Sequence, residues 1–341
     1  MTGLVTRRSD LGWPLAFALA ACSTASPQPD PPPVAPAPPT VAGTCLTGEA
    51  DEVATFGDEN LELAVRRQLG LARVEPLTCG AVRALRRLDA PDARISDLTG
   101  IGALESLEVL YVYGNNSVTD VTPLTELTGL RDLNLSRNRI EDIGPLAELT
   151  SLTSLSLYGN PIVDLTPLGR LTGLTRLQVE HTAGVSDLAA LRGLHALTRL
   201  ELSGNQITDV TPLSGLTSLT WLSLQDNAAL SDLGPLRHLE RLEILELGGT
   251  AVTDLAPLGG LARLNTLGLG GTPVTDLGAL IGLPHLSRLD LRGNRDLADI
   301  QPLLFSPTLG SGDTVRLERT GVRCEDVASL SAKGVNVLSR C

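Results

Sequence analysis

The sequence predicts an α/β solenoid: a curved horseshoe with a parallel sheet on its concave side and short 3₁₀ or turn segments on its convex side. Three observations carry that prediction. A unit of about 22 residues, clearest over 118–139 (VTDVTPLTELTGLRDLNLSRNR), recurs almost end to end, with starts at Ile95, Val118, Ile140, Ile162, Val185, Ile207, Leu230, Val252, Val274 and Leu297 and a partial unit at Val322. A repeat of that length is one strand and one return turn, which cannot bury its own apolar side and must stack on its neighbours. The spacing stays at 22 or 23 residues until the last full unit, which stretches to 25. Aromatic residues make up only 2 % of the chain, so leucine layers rather than large rings must fill the core.

The chain begins with an export signal over 1–21. Arg7 and Arg8 supply the positive start, and 11–21 is a short apolar run broken only by Gly12 and Pro14. It is too short to span a bilayer. The run ends in Leu19-Ala20-Ala21-Cys22, which resembles the lipobox of bacterial lipoproteins. The resemblance implies cleavage before Cys22, acylation of that cysteine, and membrane attachment through it. Ser23 in place of the aspartate that retains such proteins in the inner membrane implies the outer membrane of a Gram-negative cell. Residues 22–44 then read as a proline-rich linker. Proline at this density lacks amide donors and favours extended polyproline II, a semi-rigid spacer.

Residues 45–94 form an N-terminal cap. Asp58 and Asn60 precede Leu61, Leu63, Ala64, Val65 and Leu69, and Gly70 follows, the pattern of a short helix with an acidic start and a glycine stop. A second helical piece is expected over 78–85, leading into a first strand near Leu88. The cap must cover the first apolar edge of the stack, and Phe56 is the expected plug. Residues 95–321 carry about ten repeats, and residues 322–341 close the other end with a helix near 326–333 and a strand at 335–337.

Five cysteines fit this plan. With Cys22 set aside, Cys45, Cys79, Cys324 and Cys341 remain, an even number in an exported chain. About ten strands spaced at ~4.8 Å put the two ends roughly 50 Å apart, whereas a disulfide needs Cα atoms within about 7 Å. The pairing is therefore Cys45–Cys79 and Cys324–Cys341. No local pair has the close spacing of a zinc site.

Within the unit, Leu130-x-x-Leu133-x-Leu135-x-x-Asn138 places two leucines inward on a strand expected over 133–135, with Asn134 on the other surface. Asn115, Asn138, Asn160, Asn205, Asn227 and Asn294 form one column, which Thr182, Thr250, Thr272 and Thr320 interrupt. A carboxamide donates twice and accepts, but a hydroxyl donates once, so threonine weakens the ladder. A second column, from Asp97 and Asp120 through to Asp299, suits capped turns opening short 3₁₀ segments. The aspartates do not read as calcium ligands, because no unit adds the further carboxylates such a site needs.

These motifs, LxxLxLxxN and I-x-D-x-x-P-L-x-x-L behind a helical cap, resemble the leucine-rich repeat of the bacterial internalin-like class. The resemblance spans 45–341. It implies a curved repeat horseshoe that binds partners on its concave sheet. The chain has no LPxTG wall-sorting signal and no surface-binding module after the repeats, so attachment to a Gram-positive wall is not implied.

Function is therefore sought on the outward strand positions. Every tyrosine and the only tryptophan outside the signal fall there. The candidate partner-binding residues are Tyr111, Tyr113, Asp132, Asn134, Tyr158, Arg176, Gln178, Glu180, Arg199, Glu201 and Trp221. Tyrosine, tryptophan and arginine dominate interface hot spots. The strand around 266–270 is nearly bare, and 288–316 is basic with interleaved acids. The expected function is non-enzymatic binding of a protein at the cell envelope. The alternatives are a glycan or envelope polymer stacked on the same aromatics, or a scaffold like the phosphatase-regulatory repeat proteins. The net charge of −12 argues against nucleic acid. His181, His195, His238 and His285 lie in different units, and no phosphate loop, triad or metal motif accompanies them, so no catalysis, metal or cofactor is expected.

Overall fold

The computed structural model describes Cys45, residues 49–182 and residues 184–341. The expected signal, the expected lipidation site Cys22 and the proline-rich stretch lie outside the described residues. Each repeat contributes three extended residues, and register is the same throughout. In chain order the strands are β1 (Arg87–Asp89), β2 (Val109–Tyr111), β3 (Asp132–Asn134), β4 (Ser154–Ser156), β5 (Arg176–Gln178) and β6 (Arg199–Glu201). They continue as β7 (Trp221–Ser223), β8 (Ile244–Glu246), β9 (Thr266–Gly268), β10 (Arg288–Asp290), β11 (Thr314–Arg316) and β12 (Asn336–Leu338). All twelve form one parallel sheet in sequential order. The expected strand over 133–135 lies one residue earlier, because the second leucine of each pair already turns toward the return segment while remaining fully buried.

The core is a stack of aliphatic layers. Leu124, Leu127, Leu130, Leu133 and Leu135 are all wholly buried, and so are their equivalents from unit to unit. Each such leucine contributes on the order of 1.5–3 kcal/mol, but only because adjacent turns cover it.

The aspartate column performs one task ten times. Asp97, Asp120, Asp142, Asp164, Asp187, Asp209, Asp232, Asp254, Asp276 and Asp299 each accept the backbone N–H two residues on, at 2.7–2.8 Å. From Asp120 onward that N–H belongs to the first residue of the return helix, which is 3₁₀ in most units. The asparagine column bridges units. Asn160 donates to Leu135 O of the preceding repeat at 2.9 Å and to Leu157 O of its own at 3.0 Å, and it accepts Ile140 N–H at 3.1 Å. Thr250, Thr272 and Thr320 each spend their one proton inside their own unit, on Leu247, Leu269 and Leu317 carbonyls. Among the described residues, these side chains make no bond to a neighbouring unit, although Thr272 N–H is accepted by Asn294 Oδ1 at 2.9 Å, and Thr182, against expectation, bridges units by donating to Asn205 Oδ1 at 2.5 Å.

Both ends are capped. Helix α1 (Glu59–Leu69) starts at Asp58 and stops at left-handed Gly70; α2 (Cys79–Arg83) is shorter than the expected 78–85, with Thr78 as its N-cap. The plug is not Phe56, which is half-buried at the edge; Leu61, Val65, Leu77 and Val82 fill that position with no exposure. Phe56 packs against that core from its rim. Asp58 joins cap to stack: one carboxylate oxygen accepts Asn60 and Leu61 N–H, and the other accepts Ser96 N–H and Oγ–H at 2.8 and 2.9 Å. Burial pushes its pKa up, but the bonds from Ser96, Leu61 and Asn60 outweigh burial and hold it below the usual carboxylate range.

The 25-residue unit holds an element the repeat pattern does not announce. Its return segment is a true α-helix, α3 (Gln301–Phe305). The single lysine of the chain, Lys333, donates from Nζ to the Leu303, Leu304 and Ser306 carbonyls at 3.1, 2.9 and 2.7 Å. Lys333 is the C-cap of α4 (Cys324–Ala332), so it locks the last helix onto α3. Helix α4 starts two residues before the expected 326, and β12 starts one residue after the expected 335. Disulfides Cys45–Cys79 and Cys324–Cys341 close the ends as expected, with Cα separations of 5.6 and 5.4 Å. No helix among the described residues is long and apolar enough to cross a membrane.

Candidate functional site

Because strand side chains alternate, the first and third residues of β1 to β11 stand on the concave face while the middle one is buried. Parallel in-register stacking then sets equivalent residues of successive units side by side, about 4.8 Å apart. Tyr111, Asp132, Asn134, Arg176, Gln178 and Arg199 come together this way. With Ser154, Leu155 and Ser156 they line a depression of about 420 Å³ spanning β2 to β6. The small serines of β4 make its floor low. Tyr113, Tyr158, Glu180, Glu201 and Trp221 are not part of its wall; Glu201 lies beside Gln178 and Trp221 beside Arg199 in the strand register.

Three of the four concave-face aromatic residues, Tyr111, Tyr158 and Trp221, are braced by an arginine from the preceding unit. The Arg87 guanidinium carbon lies 4.8 Å from the Tyr111 centroid, Arg137 lies 5.6 Å from Tyr158, and Arg199 lies 3.8 Å from Trp221. Each contact is worth roughly 0.5–2 kcal/mol and holds a ring at a fixed angle. Tyr111 also donates its hydroxyl to Asp132 Oδ2 at 2.6 Å; that bond to a carboxylate, with burial, raises the phenol pKa. Arg87 bonds Asp89 at 2.7 Å, and Arg199 bonds Glu201, which is buried. Glu180 is pushed up by burial and by the adjacent Glu201 carboxylate, against a hydrogen bond from Ser203.

Arg87, Arg137 and His181 were outside the sequence-level selection. His181 is exposed, and its ring meets Tyr158 edge-on, with centroids 5.6 Å apart at 83°. A signal for two of these residues exists. The position before the Asn/Thr column is left-handed in all ten units: Gly114, Arg137, Gly159, His181, Gly204, Asp226, Gly249, Gly271, Gly293 and Arg319, with φ from 49° to 78°. Glycine adopts this conformation freely, but an L side chain there costs about 1–2 kcal/mol. From Arg137 to Gly249 the two kinds alternate. Each side chain lies across the glycine of the next unit, and a Cβ on Gly204 or Gly249 would collide with His181 or Asp226. Arg137 and His181 therefore stand on either side of Tyr158, each in the strained conformation. Such strain clusters at functional positions.

Farther along, the strand read as nearly bare is occupied by a neighbour. Glu246 folds over Gly268, where a Cβ would collide with its carboxylate. Burial raises the Glu246 pKa, against a bond from Gln225 at 3.0 Å. Asp290 is held by Arg292 at 2.6 Å, and Arg316 reaches Glu318 at 3.2 Å, so the basic end is largely self-neutralised. Among the described residues, no group of three or more His, Cys, Asp or Glu side chains is placed to hold a metal.

Two stretches match family models for leucine-rich repeats, residues 128–170 as "Leucine Rich repeats (2 copies)" and residues 194–210 as "Leucine Rich repeat". The internalin C2 of Listeria monocytogenes is 32 % identical, with a TM-score of 0.60 over 63 % of this chain and 94 % of its own. The chain belongs to the internalin-like leucine-rich-repeat proteins. A further Listeria monocytogenes internalin, InlF, superposes on this internalin-like chain with a TM-score of 0.70 at 28 % identity, covering 84 % of this chain and 90 % of its own. The functional domain of InlJ from that organism, which includes a cysteine ladder, shares the fold at 21 % identity and a TM-score of 0.54, over 78 % of this chain and 66 % of its own. No curated protein matches this chain. Repeat proteins of the internalin type are generally non-enzymatic scaffolds, and leucine-rich-repeat proteins typically bind protein partners.

Proposed function

We propose that this internalin-like chain binds a protein partner on the concave face between β2 and β7, while a lipid on Cys22 holds it at the outer membrane of the cell envelope. The observation that carries the binding reading is the bracing of Tyr111, Tyr158 and Trp221 by arginines along one face, with Tyr111 in the wall of a polar depression. A scaffold needs none of these contacts, since its leucines, asparagines and aspartates already hold it. Pre-set aromatics lose little side-chain entropy on binding, which is what a hot spot requires. The residues outside the repeats support the envelope reading: a lipobox-like 19–22, a proline-rich spacer after it, and disulfide-closed ends that suit an oxidising compartment.

A glycan partner would stack on open ring faces. Arginine already covers one face of each of these three rings, which favours a protein.

Photo-crosslinking in intact cells tests the reading. A benzophenone amino acid at position 158 or 221 should give a discrete protein adduct, while the same group at the exposed convex position 192 should give none. Equal labelling from all three positions, or none from the concave pair, contradicts it. Incorporation of radioactive palmitate by the wild-type chain and its loss in Cys22→Ser tests the anchor.

A further inference from the structure

We propose that the depression between Tyr111 and Arg199 seats an acidic side chain, Asp or Glu, of the protein partner, with Arg176 as its charge partner. This rests on the concave face being the protein-binding surface. The argument starts from what is already engaged around the depression. Arg199 is committed to Glu201 and to the Trp221 ring. The Tyr111 hydroxyl proton is committed to Asp132. The Asn134 carboxamide oxygen accepts Ser136 N–H at 3.0 Å, which leaves its NH₂ group unused.

Arg176 is exposed and, among the described residues, its guanidinium has no ion-pair partner and no hydrogen bond. It sits directly beside Arg199 in the β5–β6 register, with Ser154 on its other side. Two guanidinium groups on adjacent strands repel, and Glu201 neutralises only one of them. The pair keeps one net positive charge at the edge of a cavity that offers the donors Asn134 NH₂, Gln178 NH₂ and Ser154 Oγ–H beside it. Asp132 lies two strands away, about 9.6 Å, with one carboxylate oxygen held by the Tyr111 hydroxyl. A carboxylate entering over the β4 serines meets the fork of Arg176 on one side and amide donors below. Guanidinium and carboxylate match in a two-point, charge-assisted geometry. The cavity, about 420 Å³ and open on the concave side, has room for one such side chain and its flanking backbone.

The test uses the full chain, ¹⁵N-labelled, titrated separately with N-acetyl-glutamate N-methylamide, its glutamine counterpart and inorganic phosphate. The blocked glutamate should shift the side-chain amide signals of Gln178 and Asn134 and the Nε–H of Arg176, at least tenfold more tightly than the glutamine counterpart. Arg176→Gln should remove the effect. Ser154→Tyr, which fills the floor but keeps the arginine, should remove it too, and Arg288→Gln should leave it intact. Equal response to glutamate and glutamine, no response at all, or survival of the response in a folded Arg176→Gln variant overturns the proposal. Tighter binding of phosphate at the same signals assigns the cavity to a phosphate-bearing ligand and also overturns it. Crosslinking from positions 158 and 221 is read independently: adducts there without a glutamate response leave the binding face standing and remove only the acidic anchor.

Discussion

Arg199 lies over the indole of Trp221, its guanidinium carbon 3.8 Å from the ring centroid, and the two residues are direct partners in the β6–β7 register. The same arginine bonds Glu201 two residues along its strand. Trp221 is thereby fixed by a cation that is itself fixed. A double-mutant cycle with Arg199→Gln and Trp221→Leu, read by urea unfolding, should give a coupling of about 1 kcal/mol. Additive effects of the two changes would show that the stacking is incidental.

The asparagine ladder should fail unevenly. Asn160→Ala leaves two carbonyls and the Ile140 N–H without their partner in a position that is 1 % exposed, a loss on the order of 3 kcal/mol. Thr250→Val removes one bond inside one unit and should cost about 1 kcal/mol. Thr250→Asn restores a donor that can reach the preceding repeat, and it should stabilise the chain. Thermal or urea unfolding of the three variants checks the order.

The left-handed column separates stability from binding. His181→Gly removes strain and should leave unfolding unchanged, or shift it toward greater stability by up to about 1 kcal/mol. It should nevertheless weaken crosslinking from position 158, since the ring that borders Tyr158 is gone. Gly204→Ala should destabilise by at least 1–2 kcal/mol, roughly, because its φ is positive and its Cβ meets the His181 imidazole.

Asp58 and Glu180 make stability depend on pH in opposite directions. The Asp58 pKa is lowered on folding, so its contribution is present above the ordinary carboxylate range and lost as pH falls through the folded value. Asp58→Asn should therefore cost stability at neutral pH, and the difference should shrink in acid. Burial, then Glu201, raises the Glu180 pKa, so its contribution is present at low pH and lost as pH rises through the folded value. Glu180→Gln should stabilise the chain at neutral pH, and that gain should vanish below the ordinary carboxylate range. Unfolding curves across that range read both signs.

Much of this was legible in the sequence because a solenoid converts sequence period directly into neighbourhood. Asp120 and Asp209 could be assigned to turns, and Cys45 to Cys79, without knowing any angle, since the stack forbids the alternatives. The candidate residues Tyr111, Asp132, Asn134, Arg176, Gln178 and Arg199 converge for the same reason: they occupy the same columns in nearby units. What stayed hidden depends on side-chain reach between units. Glu246 filling the space above Gly268, and Arg137 and His181 enclosing Tyr158, need a rise of about 4.8 Å per strand and a long side chain laid across a missing Cβ. Helix α3 was hidden because three extra residues fit a loop as readily as a helical turn; the deciding contact is Lys333, thirty residues away from Leu303.

The central claim is that the concave face between β2 and β7 binds a protein while the rest of the repeat serves only to hold it. The most direct measurement is the binding isotherm of the partner captured at position 158, taken for the wild-type chain and for the double variant Tyr113→Ala/Tyr158→Ala. The account predicts a chain that still folds, losing only the roughly 0.5–2 kcal/mol of the Arg137 contact, and an affinity that falls by about 100-fold or more. Wild-type affinity in that folded double variant would contradict it.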